Sequence, residues 1–311
     1  MRSFAAGALG IILAWLNGSP FAFSQGPLQK TLIDSGIVLA KAGRYADALQ
    51  VLNQAAGMDT TEAEPYYNRG IVKTELKDYV GAISDFDRVI LMKPGYPEPY
   101  YNRGLVRDLM RDYKGAIRDY ASATTLRPDY SDAWHNSGLA RYELGDYREA
   151  MRDFTRAISY RPAFPEAYYN RGLCRFSLDD IEGALNDFTE ALQMDAAPVE
   201  YLASRGAAKA ALGRYEEAIG DFEAVLAVQP FDHDAMQNLA LAYMYLKQYE
   251  EAIHIYDRLL KINPADVETL LNRGIAQHYS GDRKAACRDW ERAGDKGSEK
   301  ALEYSRKFCG D

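Results

Sequence analysis

Apolar and polar positions along the chain follow two superimposed periods. Within stretches of about a dozen residues, apolar side chains recur at three- and four-residue steps, the pattern of a helix that buries one face. Over longer distances the pattern repeats every 34 residues. Gly36, Gly70, Gly104, Gly138, Gly172, Gly206 and Gly274 mark the period, and Ala240 fills the one gap. Twelve residues after each stands an alanine: Ala48, Ala82, Ala116, Ala150, Ala184, Ala218, Ala252 and Ala286. Units therefore begin at 29, 63, 97, 131, 165, 199, 233 and 267, and the last ends at 300. Such a period is the mark of a repeat architecture, in which each unit hides its apolar face against its neighbours.

Each unit predicts two helices. With the glycine at position 8, position 4 is large and apolar (Tyr66, Tyr100, Trp134, Tyr168), and position 24 is mostly aromatic (Phe86, Tyr120, Phe154, Phe188, Phe222, Tyr256, Trp290). Polar or glycine-containing breaks fall near positions 15 and 16, as at Gly145-Asp146 and Gly213-Arg214, and divide the unit into a first and a second helix. Proline at position 32 (Pro94, Pro128, Pro162, Pro230, Pro264) stops the second helix. Small residues at positions 8 and 20 let the two helices approach closely.

In these residues the chain resembles the tetratricopeptide-repeat (TPR) family, whose pattern of large residue, Gly or Ala, Ala, aromatic, small residue and Pro it matches across 29–300. The resemblance implies an all-α solenoid of eight 34-residue helix-turn-helix units, wound as a right-handed superhelix, with an inner groove built from first helices. One departure stands out. Position 7, usually Leu in the family, is Arg69, Arg103, Arg171, Arg205 and Arg273, and each of these units carries an acid at position 23: Asp85, Asp119, Asp187, Asp221 and Asp289. Unit 7 replaces both together with Leu239 and Ile255. Unit 4 keeps Asp153 opposite Ser137, with Arg141 one turn further on as a substitute. The covariation predicts an ion pair between the two helices of a unit, and a structural role for the arginines.

The two ends read differently. Residues 1–24 have one charge, Arg2, then an apolar run from Phe4 to Leu16, the break Ser19-Pro20, and small residues Ala22 and Ser24 before Gln25. That order predicts a cleaved signal peptide and export to the periplasm or beyond. The alternative is an uncleaved anchor, the one case in which the chain contacts membrane; its apolar run falls short of the roughly 20 residues a bilayer requires. Residues 25–28 are a short lead-in. After the last unit, Gly297-Ser298 precedes an amphipathic stretch, and 301–311 is expected to form a capping helix over the end of the stack. Cys287 and Cys309 then face each other as a candidate disulfide, with two buried thiols as the alternative; Cys174 reads as a small core residue.

A net charge of −8 without a Lys/Arg-rich run disfavours nucleic acid. The four histidines are scattered, and neither zinc spacing, a phosphate loop nor a nucleophile elbow is present, so no enzyme and no cofactor is expected. The remaining candidate is the groove. The resemblance assigns its lining to first-helix positions 2, 5, 9, 12 and 13. Position 5 supplies Tyr67, Tyr101, His135 and Tyr169, expected to face the groove because position 4 already provides the packing aromatic. Tyr142 and Phe176 come from position 12, Asn68, Asn102, Asn136 and Asn170 from position 6, and Glu64 and Glu98 from position 2. The carboxylates equally suit a helix's first turn. A tyrosine-rich anionic wall predicts an extended or helical partner segment with apolar side chains and net positive charge. The Lys and Asn pair with which heat-shock co-chaperones of this family grip a C-terminal carboxylate is missing. A structural subunit assembling through its convex face or ends is the alternative function.

Overall fold

The computed structural model describes residues 26–194 and 198–310, so the expected signal peptide at 1–24 lies outside the described residues. Among these residues there are seventeen α-helices and no strand. Sixteen of them form the eight pairs: α1 Pro27–Lys41 with α2 Tyr45–Met58, α3 Glu64–Glu75 with α4 Tyr79–Met92, α5 Pro97–Leu109 with α6 Tyr113–Leu126, α7 Ser131–Glu143 with α8 Tyr147–Tyr160, α9 Pro165–Ser177 with α10 Ile181–Met194, α11 Val199–Ala211 with α12 Tyr215–Val228, α13 His233–Tyr245 with α14 Tyr249–Ile262, and α15 Val267–Ser280 with α16 Arg283–Gly294. The last helix, α17, covers Glu299–Phe308. The chain divides into two bodies, 1–163 and 164–311, and within each the helices pack in sequence order, as a solenoid requires.

The local chemistry explains the pairs. At position 15 the chain turns through the left-handed region, with Gly43, Gly145, Gly213 and Gly281 serving four units and Lys77, Arg111, Asp179 and Lys247 the others. Asp78, Asp112 and Asp282 then cap the second helix by accepting from the backbone N–H three residues on. Close approach is enforced at position 8: a Cβ on Gly138 would lie 2.7 Å from the Phe154 ring, and one on Gly104 2.7 Å from that of Tyr120. The position-24 rings are buried, as are the alanines at position 20.

Each predicted ion pair is present. Arg69 donates through Nε (2.9 Å) and Nη2 (2.6 Å) to both oxygens of Asp85, and Arg103, Arg171, Arg205 and Arg273 hold their aspartates in the same way. In unit 4, Ser137 Oγ (2.6 Å) and Arg141 Nε (2.8 Å) share Asp153. A second cation, at position 11, completes the group: Lys73, Arg107, Arg175 and Lys209 lie 2.7–2.9 Å from the same carboxylates. Sequence reading found this cation only in unit 4, as Arg141; its signal elsewhere is that position 11, usually Tyr in the family, is Tyr243 only where the pair is also lost. Arg103 and Arg273 reach further, to Asp87 and Asp257 of the preceding unit, so the network joins units as well as helices.

At the C-terminus Ser298 Oγ caps α17, whose Ala301 is buried. Tyr304 stacks on Trp290 at 5.2 Å, and Phe308 packs at a tilt against His278 at 4.4 Å. Cys287 and Cys309 are joined by a disulfide, and Arg283 donates to the carbonyls of Phe308 and Gly310. With the cysteines 22 positions apart, Cys287→Ser is expected to cost the folded cap about 3 kcal/mol by chain entropy. Thermal melts of oxidised wild type and the variant, in non-reducing buffer, read that loss.

Candidate functional site

Tyr67 and Tyr101 are buried and do not face a groove, which corrects the expectation from sequence for these two. Tyr67 and Tyr101 are 2% and 1% exposed. The Tyr67 ring packs on Phe86 (6.1 Å), and the Tyr101 ring lies between Tyr120 (5.9 Å) and Tyr130 (4.8 Å). Their hydroxyls accept hydrogen bonds from the position-6 asparagine of the next unit: Asn102 Nδ2 to Tyr67 at 2.8 Å, and Asn136 Nδ2 to Tyr101 at 3.0 Å. Tyr169, half-buried, continues the ladder in the second body through Ser204 Oγ at 3.3 Å. Burial raises all three phenols, those of Tyr67 and Tyr101 well above the usual range. His135, partly buried against Phe154, is pushed down to about 4 by burial and is neutral at pH 7.

The physical reason is that a first helix has neighbours on both sides. Position 4 looks back: Tyr66 and Trp134 donate to Ala56 O and Pro128 O of the preceding unit. Position 5 looks forward. Both must be apolar, and neither is spare. Asn68, Asn102, Asn136 and Asn170 are accordingly buried, at 3–7% exposure. Asn68 donates to Glu64 O at 3.0 Å. The position-2 acids are also engaged in the first body: Glu98 is buried and paired with Arg127, and Asp132 with Arg161 at 2.8 Å; Glu64 is buried. In the first body Tyr67 and Tyr101, with Asn102 and Asn136 that donate to them, thus form the seam between units. Tyr142 is partly covered, on Tyr147 (5.1 Å), and Phe176 is exposed.

One carboxyl in the first body is poorly accommodated. Asp108, at position 12, accepts from Tyr120 OH (2.5 Å), while its other oxygen is buried without a hydrogen bond. Burial, with Glu143 and Asp112 adding to it, pushes it up to about 7. An unfolded aspartate titrates near 3.9, so the folded state holds the extra proton between these values, and the stability it gives is lost as pH rises through about 7. Asp108→Asn is therefore expected to flatten the fall in melting temperature from pH 5 to 8. Unchanged slopes in the two proteins would contradict it.

The second body presents a different surface. On α13, Asp234, Asn238, Leu241 and Tyr245 are all exposed, and on α15 so are Glu268 and Tyr279. Tyr245 stacks on Tyr215 at 4.6 Å and 4°, and Tyr279 on Tyr249 at 5.5 Å and 19°. No group of three or more His, Cys, Asp or Glu is placed to hold a metal among the described residues, and burial pushes the Cys174 thiol up to about 12. No described helix is long and apolar enough to cross a membrane.

Comparison with known proteins follows the architecture. A family model described as tetratricopeptide repeat matches residues 33–97, 101–151, 204–267 and 238–298; a TPR repeat model matches 138–178, and a further tetratricopeptide repeat model 165–198. Among solved structures, PilF of Pseudomonas aeruginosa aligns with a TM-score of 0.59 and 14% identity, over 67% of this chain and 95% of that one. PilW, described as a widely conserved type IV pilus biogenesis factor, aligns with a TM-score of 0.58 and 17% identity, over 68% and 98%. YrrB, described as a TPR protein with an unusual peptide-binding site, aligns with a TM-score of 0.54 and 19% identity, over 60% and 95%. At these identities the likeness is one of fold. No curated protein matches the chain.

Proposed function

This chain belongs to the tetratricopeptide-repeat family, and from that premise we propose that it is a non-catalytic scaffold that holds a segment of a partner protein outside the cytoplasm. The observation that carries the reading is the division of labour among its polar groups. Aspartate–arginine networks, the tyrosine–asparagine ladder and the capped end are all consumed internally, while Tyr245 and Tyr279 on first helices stay more than half exposed among the described residues. Aromatic rings held on a rigid frame are the composition of protein-binding hot spots. The peptide-binding site in the description of YrrB supports a polypeptide segment as the ligand class. Export rests on the N-terminal pattern, and the Cys287–Cys309 disulfide suits an oxidising compartment.

The test is affinity capture from the native envelope with the mature chain as bait, together with light scattering of the chain alone. A monomer that retains one defined protein is expected. A defined homo-assembly that captures nothing would replace the scaffold by a structural subunit. N-terminal sequencing of the exported chain is expected to start at Gln25; a chain that retains residues 1–24 would be anchored instead.

A further inference from the structure

We infer that the first-helix face of α13 and α15 is the docking surface, and that its occupant is a segment of another polypeptide carrying Lys or Arg among apolar side chains. This deepens the scaffold reading above and rests on it.

Asp234, Asn238, Leu241 and Tyr245 follow one another at steps of four, three and four residues, so they form a single stripe along α13. Leu241 is 46% and Tyr245 59% exposed, and Tyr279 on the next first helix is 62% exposed. Tyr215 and Tyr249 are half-buried and lie flat against Tyr245 and Tyr279, which fixes the outer rings before a ligand arrives. Two local substitutions open this stripe. Unit 6 has Ala203 at position 5, so no phenol meets Asn238, and the asparagine that is buried in units 2–5 is exposed here. Position 31, where Arg127 and Arg161 neutralise the acids of units 3 and 4, is Gln229 in unit 6 and Asn263 in unit 7. Among the described residues no Lys or Arg pairs with Glu200, Asp234 or Glu268, and Asp234 has only His233 beside it.

Charge complementarity selects the occupant. Carboxylates without cations edge an aromatic and leucine strip, so a partner ammonium or guanidinium gains both a carboxylate and a ring face. An acidic segment meets like charge on the strip and on a chain of net charge −8.

The probe is a phage-displayed random dodecapeptide library selected on the full exported chain, with enriched peptides synthesised and titrated. The selection is expected to enrich sequences with Lys or Arg and apolar residues. For these, Tyr245→Ala/Tyr279→Ala should raise Kd roughly tenfold or more. Asp234→Asn/Glu268→Gln should weaken binding at low salt, with the difference shrinking at about 0.5 M salt. Tyr160→Ala, in the other body, should leave Kd unchanged, and all variants should melt with wild type. Cationic peptides that bind the double alanine variant normally would overturn the surface while leaving the scaffold reading standing. Enrichment of acidic or uncharged peptides would overturn the occupant. A solution dimer dissolved by the double alanine change would give the face to a second copy. No enrichment at all would count against both readings.

Discussion

Asp119→Ala is expected to destabilise the first body by about 3–5 kcal/mol, the loss that follows when a buried charge is stripped of its partner. The side chain is 3% exposed and receives Arg103 Nε and Nη2 and Arg107 Nη1, the last at 2.7 Å. Its removal takes the shared carboxylate from two guanidinium groups, 16% and 22% exposed, leaving Arg103 only its more exposed carboxylate partner Asp87 and Arg107 only that of Asp112 at 4.0 Å. The equivalent change in unit 4, Asp153→Ala, is expected to cost less, because Ser137 stands in for one arginine and only Arg141 loses its partner. Unit 7 shows how the site is built without charge, from Leu239, Tyr243 and Ile255. Arg103→Leu, Arg107→Tyr and Asp119→Ile together should therefore recover most of the stability lost by Asp119→Ala, since apolar replacement of a whole buried ionic group is often neutral. Urea melts of the four proteins decide this. Equal losses for Asp119→Ala and Asp153→Ala would contradict it.

The second large effect concerns tyrosines that sequence reading placed in a binding groove. Tyr101→Ala is expected to cost about 3–5 kcal/mol, as for other large-to-small changes of a buried aromatic. Tyr101→Phe keeps the ring between Tyr120 and Tyr130 but removes the acceptor for Asn136 Nδ2, and should cost about 1–2 kcal/mol. Tyr245→Ala, at 59% exposure, is expected to stay within about 0.5 kcal/mol of wild type. The same residue type is mortar at position 5 and a free surface at position 13, and the ranking of these three melts shows it.

What could be read from sequence depended on whether one neighbour or two decided a position. Gly138 and Phe154 belong to one helix pair, so their spacing alone states the close contact that the structure shows at 2.7 Å. Arg69 and Asp85 also lie in one unit, and the joint change at Leu239 and Ile255 exposed their pairing. Tyr67 failed because its partner is Asn102, 35 positions on in the next unit, and a pattern within one unit does not say which side of a first helix the next unit covers. The stripe on α13 was legible only as absences, Ala203 for a tyrosine and Gln229 and Asn263 for cations, and absences gain meaning once the ladder and the position-31 pairs are seen. The stacking of Tyr245 and Tyr279 on Tyr215 and Tyr249 joins consecutive units and carries no signal within either.

The most direct measurement is hydrogen exchange of the full chain with and without a saturating cationic peptide from the selection. Slowed exchange confined to His233–Tyr245, Val267–Ser280 and the starts of Tyr215–Val228 and Tyr249–Ile262 is the predicted result. Protection falling instead on Glu64–Glu75 and Pro97–Leu109, where the buried tyrosines lie, would contradict the account.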